Sequence, residues 1–300
     1  MPGVAVVTDS TSSFAPRQAE RADVRVIPLQ VVIDGRSRPE GEVDAAEVAA
    51  ALRAGRRVST SRPTPEVVAA AYAELAAGAC TGVVSVHLSG GISGTAQAAE
   101  VAARGASVPV RVVDSRGAAM ATGFAALAAA GSARDGGDLD AVAAAASRRA
   151  GATSTWFCVD DLVHLRRGGS TWFCVDDLVH LRRGGRVSAA TAVLGTALAV
   201  KPLLTVADGA IRPFERVRTS ARALSRLEQL AAGAVRAGVD AGHVVDVAVH
   251  HLDNAAAAER LADALREQRP GGSVLVSELS AVLAVHVGPG TVGVVVSPAV

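Results

Sequence analysis

Short Val-rich runs alternate with longer Ala-rich stretches through the first half of the chain. VAVVTD (4–9), VRVIPLQVVI (24–33), GVVSVHL (82–88) and VRVVDS (110–115) have the length and β-branched content of strands. PEVVAAAYAELAAG (65–78), GTAQAAEVAAR (94–104) and DLDAVAAAASRRA (138–150) read as helices, and the Ala- and Gly-rich stretch 117–133 reads as a buried one. Thr64, Pro65 and Glu66 make a helix start: a hydroxyl cap, a proline at the first helical position and an early acid. Strand–helix alternation predicts a mostly parallel sheet covered on both faces.

After residue 152 the rhythm changes. Residues 186–198, 220–238 and 253–268 look helical. Between them LLTVADGAIRPFERV (203–217) reads as strand–turn–strand, bent at Asp208-Gly209, and VVDVAVHHL (244–252) reads as a strand. VLAVHVGPGTVGVVV (282–296) reads as two strands joined by Gly-Pro-Gly. The expected architecture is α/β in two domains: residues 1–152 with a mostly parallel, helix-flanked sheet, and residues 153–300 with an α+β sheet and helices.

STWFCVDDLVHLRRGG occurs at 154–169 and again, letter for letter, at 170–185. Repeat architectures stack several diverged, longer units, so two identical short copies read as a duplication of one element. A fold has one place for that strand and helix start. The second copy runs directly into RVSAATAV and is assigned the native position, with the first extruded or displacing its neighbour.

Composition narrows the function. A net charge of +1 over 300 residues gives no support for nucleic acid or an anionic membrane, and 3% aromatics leave no stacking platform. Cys80, Cys158 and Cys174 show neither metal nor disulfide spacing, which fits a reducing cytoplasm. The N-terminal MPGVAVVTDS has no basic region or cleavage pattern, arguing against a signal peptide, and Gly and Pro near the C-terminus argue against a membrane span.

The candidate chemistry lies in three hydroxyl-rich segments: VVTDSTSSF (6–14), STSRPTP (59–65) and HLSGGISGTAQAAEVAA (87–103). None carries a lysine, a metal-ligand cluster or a nucleophile beside a base. Hydroxyls, backbone N–H groups and a helix N-terminus suit an acceptor-only anion. Taken alone, Ser93, Gly94 and Thr95 are equally a helix cap with a tight turn. Asp9, Ser10 and Thr11 are secondary candidates at a strand end, where an Asx turn explains them nearly as well. His286, read on a strand, is by itself an ordinary core histidine.

In order along the chain, VTDSTS, TSRPTP, GGISGTAQAA, VVDSRGAAMATG (112–123), LRRGGRVS (181–188), KPLLTVADGAI (201–211), ERVRT (215–219) and HVGPG (286–290) resemble the DegV family of bacterial fatty-acid-binding proteins. The resemblance implies two α/β domains with a long-chain fatty acid between them. It also implies a non-catalytic role as the binding subunit of a fatty-acid kinase, in which a separate ATP-dependent subunit phosphorylates the carboxylate for phospholipid synthesis. No cofactor or metal is implied. Carried over, Thr60, Ser61, Ser93, Gly94, Thr95 and His286 would hold the carboxylate, and Arg186, with Arg183 next, would dock the kinase. Arg62 departs from the family's usual Gln, Ala96 stands where Tyr is frequent, and the duplication adjoins the docking segment.

Two other readings come from the residues alone. One is an enzyme acting on a small anionic metabolite cradled by the Ser/Thr/Gly loops. Against it, the chain has no Gly-Lys-Ser/Thr phosphate loop, no His-Glu-x-x-His and no Gly-x-Ser-x-Gly elbow. The other is a regulatory or structural α/β protein with a vestigial pocket.

Overall fold

A computed structural model describes residues 3–159, 201–268 and 270–300. Its first sheet is parallel and four-stranded, in the order β2-β1-β6-β7, built from β1 (Val4–Asp9), β2 (Val24–Ile27), β6 (Gly82–His87) and β7 (Val110–Asp114). All six residues of β6 are buried, as expected for a central strand covered on both faces. On one face Val6, Val84 and Val86 pack against the helices Met120–Arg134 and Leu139–Ala152. On the other, Val7 and Val83 meet Val68 and Tyr72 of the helix Pro65–Ala77 and Ala99 of the helix Thr95–Ala103. Small alanines let these helices lie close to the valine surface, so the burial of many small apolar areas holds the layers together.

VRVIPLQVVI is not one strand. It divides at Pro28, which has no N–H to give a ladder, and its second half becomes β3 (Gln30–Ile33) of a separate antiparallel sheet ordered β4-β3-β5. β4 (Arg36–Pro39), β5 (Val58–Ser61) and the helix Ala45–Arg53 carry no strong periodic signal and went unpredicted.

The third sheet is mixed and six-stranded, in the order β10-β9-β8-β13-β11-β12. It comprises β8 (Ser154–Cys158), β9 (Lys201–Ala207), β10 (Ala210–Val217), β11 (Val245–His251), β12 (Gly271–Glu278) and β13 (Val292–Pro298). The β9–β10 turn falls at Asp208-Gly209, both at positive φ (53° and 74°), as a two-residue hairpin requires. The helices Ser220–Asp240 and Ala255–Glu267 cover one face through Leu227, Val235, Leu261 and Leu265. Against the other, Met120 and Phe124 of the N-terminal half pack on Ala248 and Val295. Arg149 seals this contact: its guanidinium donates to Ser297 Oγ (2.6 Å), Ser297 O (2.8 Å) and Asp246 Oδ2 (2.5 Å). No helix among the described residues is long and apolar enough to cross a membrane.

Two further expectations change. The strand of the first repeat copy, not the second, is β8, hydrogen-bonded between β13 and β9. The second copy, together with the segment 186–198 and residues Arg183 and Arg186, lies outside the described residues. The segment 282–296 is a helix, Ala281–Val287, followed by one strand. Ser280 Oγ accepts from Leu283 N–H (3.2 Å) and Glu40 Oε1 from Val282 N–H (2.9 Å), satisfying two first-turn donors that periodicity alone does not reveal. Gly288, at φ 76°, ends the helix. Although it belongs to the last part of the chain, this helix completes the core of the three-stranded sheet, with Val282 and Val285 against Val31, Val48 and Val58.

Candidate functional site

The loop after β6 is held from three sides. Asp9, fully buried at the end of β1, accepts from Thr11 N–H (3.1 Å), Thr11 Oγ1 (2.5 Å) and Leu88 N–H (3.0 Å), and its Oδ2 pairs with His87 Nδ1 (3.0 Å). Ser10 Oγ accepts from Leu29 N–H (3.0 Å). The Asp9-Ser10-Thr11 triplet thus turns its polar atoms inward and braces the strand ends. Next, Gly90 N–H donates to Asp114 Oδ2 (3.1 Å), and Ser89 Oγ donates to Gly209 O (2.6 Å) in the β9–β10 turn. A Cβ on Gly91 would stand 2.5 Å from that same carbonyl, so glycine is required where loop and hairpin meet.

The loop then enters the helix Thr95–Ala103 through Gly94. Ser93 Oγ and Thr95 Oγ1 lie 2.8 Å apart, with Ser93 half-buried and Thr95 fully buried. The first-turn N–H groups of this helix have no intrahelical acceptor and carry the positive end of its dipole. The paired Ser93 and Thr95 hydroxyls thus sit at the start of this helix, beside its first-turn N–H groups.

Thr60, the third residue of β5, meets the helix that completes the neighbouring core: its Oγ1 lies 2.9 Å from His286 Nε2. His286 is on a helix rather than the expected strand. Burial pushes its pKa from the ordinary 6.5 down to about 4, so the imidazole is neutral at pH 7. Glu40, missed in the sequence because nothing marks a lone acid as buried, anchors that helix, and burial raises its carboxyl above the usual range. Ser13, in left-handed backbone at φ 53°, takes Ser280 N–H on its Oγ (3.1 Å) and ties the helix start to the end of β1. Ser61 is exposed at the end of β5.

Arg62, noted in the sequence as a departure from the family's usual Gln, lies at the SGT loop. Its guanidinium lies against Gly94, with Cζ 3.0 Å and Cδ 3.1 Å from where a Cβ would stand. The TSRP and SGT segments are therefore in contact, and a cation sits at their junction. Beside these polar groups, Phe157, Val159 and Leu204 cluster with Val206, Ile211 and Val287. That cluster joins the hairpin docked on Ser89 to the residue next to His286. A cavity of about 400 Å³ lies beyond the end of this helix, with Arg53, Lys201, Asp253 and Asn254 in its wall beside Val159, Ala223 and Leu224.

The model of an uncharacterised protein family, DegV (COG1307), matches residues 3–170 and 170–299, the two matches meeting at the seam between the repeat copies. A DegV domain-containing protein of Streptomyces coelicolor is 49% identical over 296 residues, covering 98% of each chain. The crystal structure of DegV from Bacillus subtilis, described as a fatty acid binding protein, superposes with a TM-score of 0.84 at 28% identity, covering 99% of this chain and all of that one. A fatty-acid-binding DegV family protein from Thermus thermophilus superposes with a TM-score of 0.80 at 31% identity, covering 99% of both chains.

Proposed function

The chain belongs to the DegV family, and we propose on that footing that it binds a long-chain fatty acid by its carboxylate and presents it to a separate ATP-dependent kinase subunit. Thr60, Ser93, Thr95, the Gly94 backbone and His286 receive the carboxylate, with Ser61 at the rim. The observation that carries this reading is the Thr60–His286 contact at 2.9 Å, which joins residues 226 apart in sequence at the hydroxyl-rich loops. A carboxylate offers only acceptors, so it pairs with O–H and N–H donors, and a neutral imidazole serves through its own N–H. The acyl chain follows the apolar cluster of Phe157, Val159 and Leu204, where each buried methylene contributes about 0.8 kcal/mol and the tail supplies most of the affinity.

In this role the chain performs no chemistry of its own. The carboxylate is held while the kinase transfers phosphate to it, and Arg186, with Arg183 second, forms the docking surface for that subunit. Native mass spectrometry of protein purified from cells tests the core of the proposal. A bound long-chain fatty acid is the expected result, and a bound phosphorylated metabolite in its place would overturn it. Arg186→Ala should load lipid normally yet support little phosphorylation. Loss of lipid loading in that variant would place Arg186 in the pocket.

A further inference from the structure

Gly94 poses a question that its backbone does not answer. Its φ of −77° is open to any residue, so no left-handed geometry demands glycine there. What the missing Cβ leaves is room, and the Arg62 guanidinium fills it. Arg62 is exposed, follows directly on β5, and has no carboxylate partner among the described residues. An arginine is charged at every accessible pH, and here it stands beside the Ser93 and Thr95 hydroxyls and the positive end of a nine-residue helix. Among the described residues no acid pairs with it, so the charge faces whatever occupies the hydroxyl site.

We propose that Arg62 is a specificity-determining residue of the head-group site, selecting acyl ligands by the negative charge of the head group. This rests on the fatty-acid reading above and sharpens it. A neutral head group gains no ion-pair attraction from the guanidinium. A carboxylate and a phosphate can each accept both bonds of the guanidinium fork, and a head group with two negative charges adds a larger Coulomb attraction. An acyl phosphate is such a head group, so Arg62 retains the phosphorylated product more firmly than the unmodified acid. Because the side chain is exposed, the discrimination weakens with salt.

The test compares hexadecanol, hexadecanoate and hexadecylphosphonate binding to the full chain at mildly alkaline pH, by calorimetry or displacement of a fluorescent fatty acid. In Arg62→Gln, phosphonate affinity should fall about tenfold and carboxylate affinity about threefold, with the alcohol unchanged. Gly94→Ala, whose Cβ displaces the guanidinium while keeping the charge in the protein, should lower phosphonate affinity more than carboxylate affinity. An equal fall for all three ligands, or no fall for the phosphonate, would overturn the assignment of Arg62. A wild-type chain that binds none of the three would overturn the fatty-acid reading itself, and the Arg62 assignment with it.

Discussion

Lowering the pH from 7 to 5 perturbs two histidines that the fold holds in the neutral form. His250 is the more enclosed. At 2% exposure, its Nε2 accepts from Met120 N–H (3.3 Å) and its Nδ1 faces Ser277 Oγ (3.1 Å). Burial brings its pKa from 6.5 to about 4, with His251 adding a little repulsion. His286 reaches about 4 through burial alone. A lowered pKa means that the unfolded chain binds the proton more readily, so stability is complete above pH 6.5 and drains away as the pH falls toward 4. At about 1.4 kcal/mol per pH unit, His250 and His286 each contribute a loss of roughly 2 kcal/mol by pH 5. Glu40 works in the opposite sense: its raised carboxyl favours the folded state as the pH drops, and that contribution is lost as the pH rises through its folded pKa. Urea unfolding followed by circular dichroism at pH 7, 6 and 5 measures the balance. His250→Gln, which cannot titrate, should start lower at pH 7 yet lose about 2 kcal/mol less than wild type on acidification. A flat wild-type profile between pH 6.5 and 5, or the same slope in both proteins, would refute the reasoning.

Thr60→Val and Ser93→Ala should each weaken fatty-acid binding about tenfold, the worth of one hydrogen bond to a charged group, with melting temperatures within a few degrees of wild type; calorimetric titration and thermal melts check both. Gly91→Ala forces a Cβ into the Gly209 carbonyl and should destabilise the fold by about 1–3 kcal/mol, with faster amide exchange across the β9–β10 turn as its signature. Arg149→Ala leaves Asp246 and Ser297 without their cation between the two halves and should cost about 3 kcal/mol in denaturant unfolding.

The parallel sheet was legible because β1, β6 and β7 are uninterrupted valine runs, and the Asp208-Gly209 hairpin because its turn chemistry is local. The helix carrying His286 was not. Its apolar residues suit a strand equally well over so short a span, and what decides is a cap from Glu40, 242 residues away. The hydroxyls of Ser93 and Thr95 were visible as a motif, and their mutual contact follows from their spacing. The inward-turned network of Asp9 depends on β1 and β6 being neighbours, which pairs it with His87 across the sheet. Arg62 stood in plain view as an unusual residue, yet its contact with Gly94 depends on the fold bringing the SGT loop beneath it.

The helix from Ala281 to Val287 closes the core of a sheet whose strands, between Gln30 and Ser61, were synthesised far earlier. A nascent chain that has left the ribosome only as far as Leu279 therefore has the alcohols but not the imidazole, and an uncovered sheet where its lid belongs. On the proposed fatty-acid role, lipid capture would be reserved for finished molecules, and a ligand bridging Ser93 and His286 would clasp the early and late parts of the polypeptide, resisting the unravelling of either.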